Sequence, residues 1–136
     1  MKITKSINYA IHILRCLHEH SYINNNRDVL TAEAITEAVG MSYPFFVKTA
    51  HQLKRQGLLS TVQGRNGGYQ IAKHGDEISV YDVFIAMEGE LEVTRNLDND
   101  GAPCAVLDYF RGVQTILTDS MASKKISDLD TTAYAG

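Results

Sequence analysis

Apolar residues fall along the chain in two periods, and the switches between them mark out its elements. Over residues 5–20, Ile7, Ala10, Ile11, Ile13, Leu14 and Leu17 recur at helical spacing. They fill more than one stripe, which predicts a helix covered on two sides. In so short a chain, the second cover is expected to be another subunit. Residues 21–29, with Asn24, Asn25 and Asn26, predict a polar connection.

The next stretch predicts two short helices around a tight turn. Thr31 is placed to cap a helix over 32–39, whose inner face is Ala34, Ile35 and Ala38. Gly40 ends it. Ser42 then caps a helix from Tyr43 to about Gln56, with Pro44 tolerated in its first turn and Gly57 as the stop. That is the outline of a helix-turn-helix. From Leu58 to Gln63 the period shortens to two, residues 64–68 supply a glycine-rich turn, and Tyr69 to Ala72 return as a second strand. A hairpin directly after the second helix stands where a wing belongs.

Ser79 caps a further helix through about Glu88, residues 89–103 predict a loop, and a last helix spans about 104–122. Val106, Phe110, Val113 and Leu117 are spaced along it by four, three and four, as in a coiled-coil seam. With Ile7 and Ile11 of the first helix, these residues are the expected dimerisation surface. The expected fold is mainly α with a small β-hairpin. A winged helix-turn-helix domain over 1–88 is followed by loop, dimerisation helix and short tail over 89–136, the whole forming one structural unit.

Net charge changes the picture only when it is located. The chain of 136 residues carries −3 overall, which by itself speaks mildly against a nucleic-acid partner. Yet residues 1–18 and 41–74 hold no acid and together carry +8, leaving −11 for the remainder. A DNA-facing surface on an acidic body has this division. A recognition helix reads base edges in the major groove with its leading half. Phe46, Thr49 and Leu53 share the face that holds this helix to its domain. Ser42, Tyr43, Pro44, Val47, Lys48 and His51 are left to face double-stranded DNA. Gln63, Arg65 and Asn66 lie at the wing tip, where an arginine is suited to a narrow minor groove. Lys5 and Thr31 complete the expected contact set. Phe45 fits either the core or the groove rim.

Tyr9-Ala10, the run from Leu53 to Leu59, Gly64 with Gly67-Gly68-Tyr69-Gln70-Ile71-Ala72, Ile78 to Val83 and Ile126 to Leu129 carry a resemblance. Through them, about residues 1 to 129 resemble the Rrf2 family of bacterial winged-helix regulators. The resemblance runs closer to its cluster-free members, such as the cysteine-metabolism repressor, than to its iron–sulfur cluster regulator. It implies a repressor that binds a palindromic operator as a homodimer joined through the long C-terminal helix. Many relatives place an arginine just before the first wing glycine; here that residue is Gln63, and Arg65 is expected to substitute from the tip. Cluster-binding relatives place three cysteines before the long helix. Here Asn96 stands near the first position, nothing answers the second, and Cys104 matches the third. Where some relatives add a histidine the residue is Leu107, and on the first helix, where others recruit a ligand, stand Asn8 and His12. One thiolate is not a cluster site, so no cofactor and no metal are expected.

Cys104 at a helix start is a candidate redox switch; Cys16 reads as core. The five histidines show no metal-ligand spacing, and His18 and His20 read as surface residues. There is no phosphate loop, nucleophile elbow or dinucleotide fingerprint, so an enzyme is not expected. A winged-helix protein-interaction module is the competing class, which the acid-free stretch 41–74 opposes. The resemblance to the cysteine-metabolism branch implies a small-molecule or protein effector. No stretch approaches the roughly 18 apolar residues of a membrane span, and the start lacks a secretory signal, so the cytoplasm is the expected address.

Overall fold

The computed structural model describes residues 2–24, 29–93 and 104–129, and the side chains of all of these except 21–24. Asn25 and Asn26 of the expected connection, Asn96 and the tail beyond 129 lie outside the described residues. The described elements are α1 (Lys5–Asn24), α2 (Ala32–Val39), α3 (Tyr43–Arg55), β1 (Leu59–Val62), β2 (Gly68–Ile71), α4 (Val80–Glu88), α5 (Ala105–Ser123) and a 3₁₀ turn at Ile126–Asp128. The fold is therefore mostly helical with one antiparallel hairpin, as expected.

The local signals act through identifiable hydrogen bonds. Thr31 Oγ1 accepts from the Ala34 N–H at 3.2 Å, and Ser42 Oγ accepts from the Phe45 N–H at 3.4 Å. Each satisfies a donor that the helix itself leaves unpaired. Ser79 and Asp82 close a reciprocal capping box at α4, at 3.0 and 2.9 Å. Between α2 and α3, Gly40 adopts φ 78°, a left-handed conformation that costs glycine nothing and returns its N–H to Thr36 O at 2.8 Å.

One core joins these elements. Ile7, Ala10, Ile13, Leu14 and Leu17 of α1 meet Ile35, Phe46, Leu53, Leu59 and Val83, all buried. The segment after α5 closes this core from the C-terminal side. Val80 N–H donates to Lys124 O (2.8 Å), Ile126 N–H to Ile78 O (2.9 Å) and Ser127 N–H to Gly75 O (3.1 Å), while the Ile126 side chain is fully buried. At its middle, α5 is held by Gln114 Oε1, which accepts from Val93 N–H at 2.8 Å.

The expected dimerisation set needs correction. Ile7 is buried within its own chain, and Ile11 and Leu117 pack against that same core. The reason is that the last turns of α5 lie on the body, carrying Leu117 and Met121 inward. What faces outward is Val106, Tyr109 and Ile116, with Phe110 at the edge and Val113 half-buried. Val106, Tyr109, Val113 and Ile116 are spaced by three, four and three, so the exposed stripe is rotated from the expected one. None of α5 is buried.

Two smaller readings also shift. Cys16 is half-buried rather than core, and burial pushes its thiol up, assisted by Glu19 and opposed by Arg15. His18 and His20 are half-buried rather than surface residues. The His18 ring packs edge-on against His74 with centroids 5.5 Å apart. Burial, reinforced by His74, pulls the His18 imidazole below its ordinary range, although Asp76 and Glu19 pull the other way.

Candidate nucleic-acid interface

The outward face of α3 follows from what its inward face must do. Phe46, Thr49, Ala50 and Leu53 are buried and fix the helix to the body. Thr49 is the polar member, and its hydroxyl donates back to Phe45 O at 2.9 Å, so burial leaves no unmet donor. The rotation this imposes leaves Ser42, Tyr43, Pro44, Val47, Lys48 and His51 exposed together. Phe45 stands at the rim, half-buried and edge-on to Tyr9 at 5.4 Å.

The wing is tied to this helix rather than free of it. The ring of Tyr69 on β2 meets Phe46 edge-on at 5.0 Å, and Lys54 Nζ donates to Thr61 Oγ1 on β1 at 3.0 Å. Leu30 adds a bridge to β2, exchanging N–H···O bonds with Tyr69 at 2.9 and 2.8 Å. That approach requires glycine at residue 68, since a Cβ there would lie 2.5 Å from Leu30 O. At the tip, Gly67 N–H donates to Gly64 O at 3.0 Å, closing a turn with Arg65 and Asn66 at its two central positions. Gln63, Arg65 and Asn66 are exposed.

Lys5 and Thr31 are exposed too, Lys5 at the start of α1 and Thr31 beside the Leu30 bridge. Burial raises the Tyr69 phenol above its usual range, with Tyr43 and Glu33 adding to the effect. Glu33 is thus a carboxylate that the acid-free sequence segment did not reveal near this surface. The Leu30–Tyr69 bridge and the Lys54–Thr61 bond were also missed. Neither has a local sequence signal, because each joins residues whose proximity only the fold creates.

A buried anchor face, an exposed leading face and a wing locked at a fixed offset define a winged helix-turn-helix of the DNA-binding type. Residues 3–131 match the Rrf2 family, described as an iron-dependent transcriptional regulator. The chain belongs to that family. A relative from Rhizobium meliloti (strain 1021), protein aau3, is 31% identical over 109 residues, covering 79% of this chain and 67% of its own length. The transcriptional regulator NsrR of Shouchella clausii is 24% identical over 123 residues, 90% of this chain and 79% of its own. Among solved structures, CymR, the global cysteine regulator of B. subtilis, superposes with a TM-score of 0.80 at 18% identity, covering 100% of this chain and 99% of the other. NsrR and CymR are named as regulators.

The family description raises the question of iron, and the donor set here does not fit an iron–sulfur cluster. Such clusters are held chiefly by cysteine thiolates. The chain has two cysteines. Cys16 lies within α1 with its thiol pushed up by burial, and Cys104 is half-buried at the start of α5. On α1, His12 Nδ1 accepts from Arg15 Nη2 at 3.1 Å, and burial, with Arg15, lowers its pKa. Among the described residues, no group of three or more His, Cys, Asp or Glu side chains could hold a metal ion. Nor is any described helix long and apolar enough to cross a membrane.

Proposed function

We propose that the chain is a cluster-free transcriptional repressor that binds a palindromic operator as a homodimer. Residues 1–88 carry DNA readout, and residues 89–136 carry dimerisation and the response to a small molecule or partner protein. The observation that carries this reading is the exposure of Tyr43, Val47, Lys48 and His51 on α3 and of Arg65 on a wing that Tyr69 and Lys54 tie to that helix. The helix enters the major groove, Arg65 reaches the adjoining minor groove, and Lys5, Thr31, Ser42 and Asn66 meet phosphate or sugar. Two such surfaces require a second copy. The stripe Val106, Tyr109, Val113 and Ile116, packed on itself across a two-fold axis, supplies the seam, and the operator then mirrors that symmetry.

A footprint on the DNA upstream of the chain's own gene tests the reading. Two protected half-sites related by a dyad, about one helical turn apart, are expected; a single unpaired patch would contradict the dimer. Within the same footprint, Arg65→Ala should weaken protection more than Gln63→Ala, because Arg65 occupies the apex of the turn. The reverse order would remove Arg65 from its assigned role.

A further inference from the structure

The leading half of α3 offers DNA few groups for base-specific hydrogen bonds. Ser42 Oγ accepts from the Phe45 N–H as the cap of the helix, which leaves its hydroxyl proton for a phosphate, and Tyr43 adds a single phenol. The next outward residues are Tyr43, Pro44 and Val47, and the first charged side chain is Lys48, in the second turn. Val47 is 40% exposed although it is aliphatic and sits in the middle of the outward face. Tyr43, 58% exposed, flanks that face on the side of Tyr69 and Glu33. The exposed part of this aliphatic side chain gains nothing in the free protein. Its gain comes when an apolar surface covers it.

In the major groove only one base offers such a surface. Guanine, cytosine and adenine present acceptors and donors there, whereas thymine adds a C5-methyl group. We infer that Val47 reads thymine, packing its side chain on the C5-methyl of a T·A pair opposite the second turn of α3 in each half-site. Lys48 and His51 then contact the neighbouring base edges or phosphates. This inference rests on the DNA-reading function proposed above and specifies what its operator contains.

Replacing thymine with deoxyuridine removes the methyl and leaves base pairing unchanged, so it isolates the contact. The experiment uses the full-length protein and the operator defined by the footprint, with each thymine replaced singly in both half-sites. Burial of one methyl-sized group is worth about three- to fivefold in affinity, so one position per half-site is expected to weaken binding about ten- to twenty-five-fold when changed in both. Val47→Ala is expected to lose a similar factor on unmodified DNA and to be indifferent to deoxyuridine at that position. Because Val47 is exposed and alanine favours helix, this variant keeps its fold.

Two results would overturn the inference: wild-type protein insensitive to deoxyuridine at every position while still preferring its operator, or Val47→Ala retaining the full deoxyuridine penalty. No preference of the wild type for its unmodified operator over scrambled DNA would instead overturn the DNA-reading function on which the inference stands.

Discussion

Phe46→Ala is expected to lower the free energy of unfolding by about 3–5 kcal/mol, the range for removing a fully buried aromatic ring. The ring is 0% exposed and lies where α1, α3 and the wing meet. Its removal leaves a cavity and ends the edge-on contact with Tyr69 at 5.0 Å. A domain of this size is stable by about 5–15 kcal/mol in total, so this one change takes about a fifth or more of it. Urea unfolding should show a lower midpoint with an unchanged slope. The same contact fixes the wing against α3, so operator affinity should fall even at temperatures where the variant remains folded. A loss below about 1 kcal/mol would mean that Phe46 does not anchor the recognition helix.

The paired change Val106→Glu with Ile116→Glu is expected to leave the fold intact and to abolish the proposed dimer. In the single chain these residues are 59% and 69% exposed, so charging them disturbs little of the core. In a two-fold seam each substitution occurs twice, and each carboxylate would be desolvated against an apolar partner. Loss of affinity between subunits by at least about a hundredfold follows, even at the low end of about 1–3 kcal/mol per buried unpaired group. Sedimentation velocity at micromolar protein, with circular dichroism as the control, reads both halves of the prediction. A variant that sediments as the wild-type dimer would move the seam elsewhere on the molecule.

These two predictions also divide what the residues alone could tell. The anchor face of α3 was legible because Phe46, Thr49 and Leu53 repeat at helical spacing between a serine cap and a glycine stop, signals that act within a few residues. The caps at Thr31, Ser42 and Ser79 and the turn at Gly64–Gly67 belong to the same local chemistry. The face of α5 was not legible. Its apolar residues span Val106, Tyr109, Phe110, Val113, Ile116 and Leu117, an arc wide enough for two covers. Periodicity cannot say which part the body takes. The answer depends on the strap of residues 124–129, whose backbone bonds to Gly75, Ile78 and Val80 lay Leu117 and Met121 on the core. The burial of Ile7 escapes the pattern for the same reason: a helix apolar all round does not reveal which neighbour covers each side.

The site divides in the same way. Exposure of Tyr43, Val47, Lys48 and His51 follows from the buried stripe opposite them, and Arg65 from its place in the turn. The bonds that lock wing to helix, from Lys54 to Thr61 and from Leu30 to Tyr69, pair residues that only the folded chain brings together. Glu33 enters the neighbourhood by the same route.

The central claim, that the α3–wing surface reads DNA by sequence, is tested most directly by fluorescence anisotropy. Metal-free protein would be titrated onto DNA from upstream of its own gene and onto scrambled DNA of equal length, over a series of salt concentrations. The expected result is a preference for the upstream DNA of about a thousandfold or more. Affinity for both should fall steeply between about 50 and 200 mM salt as phosphate counterions are released. Equal affinity for the two DNAs, or binding indifferent to salt, would contradict the account.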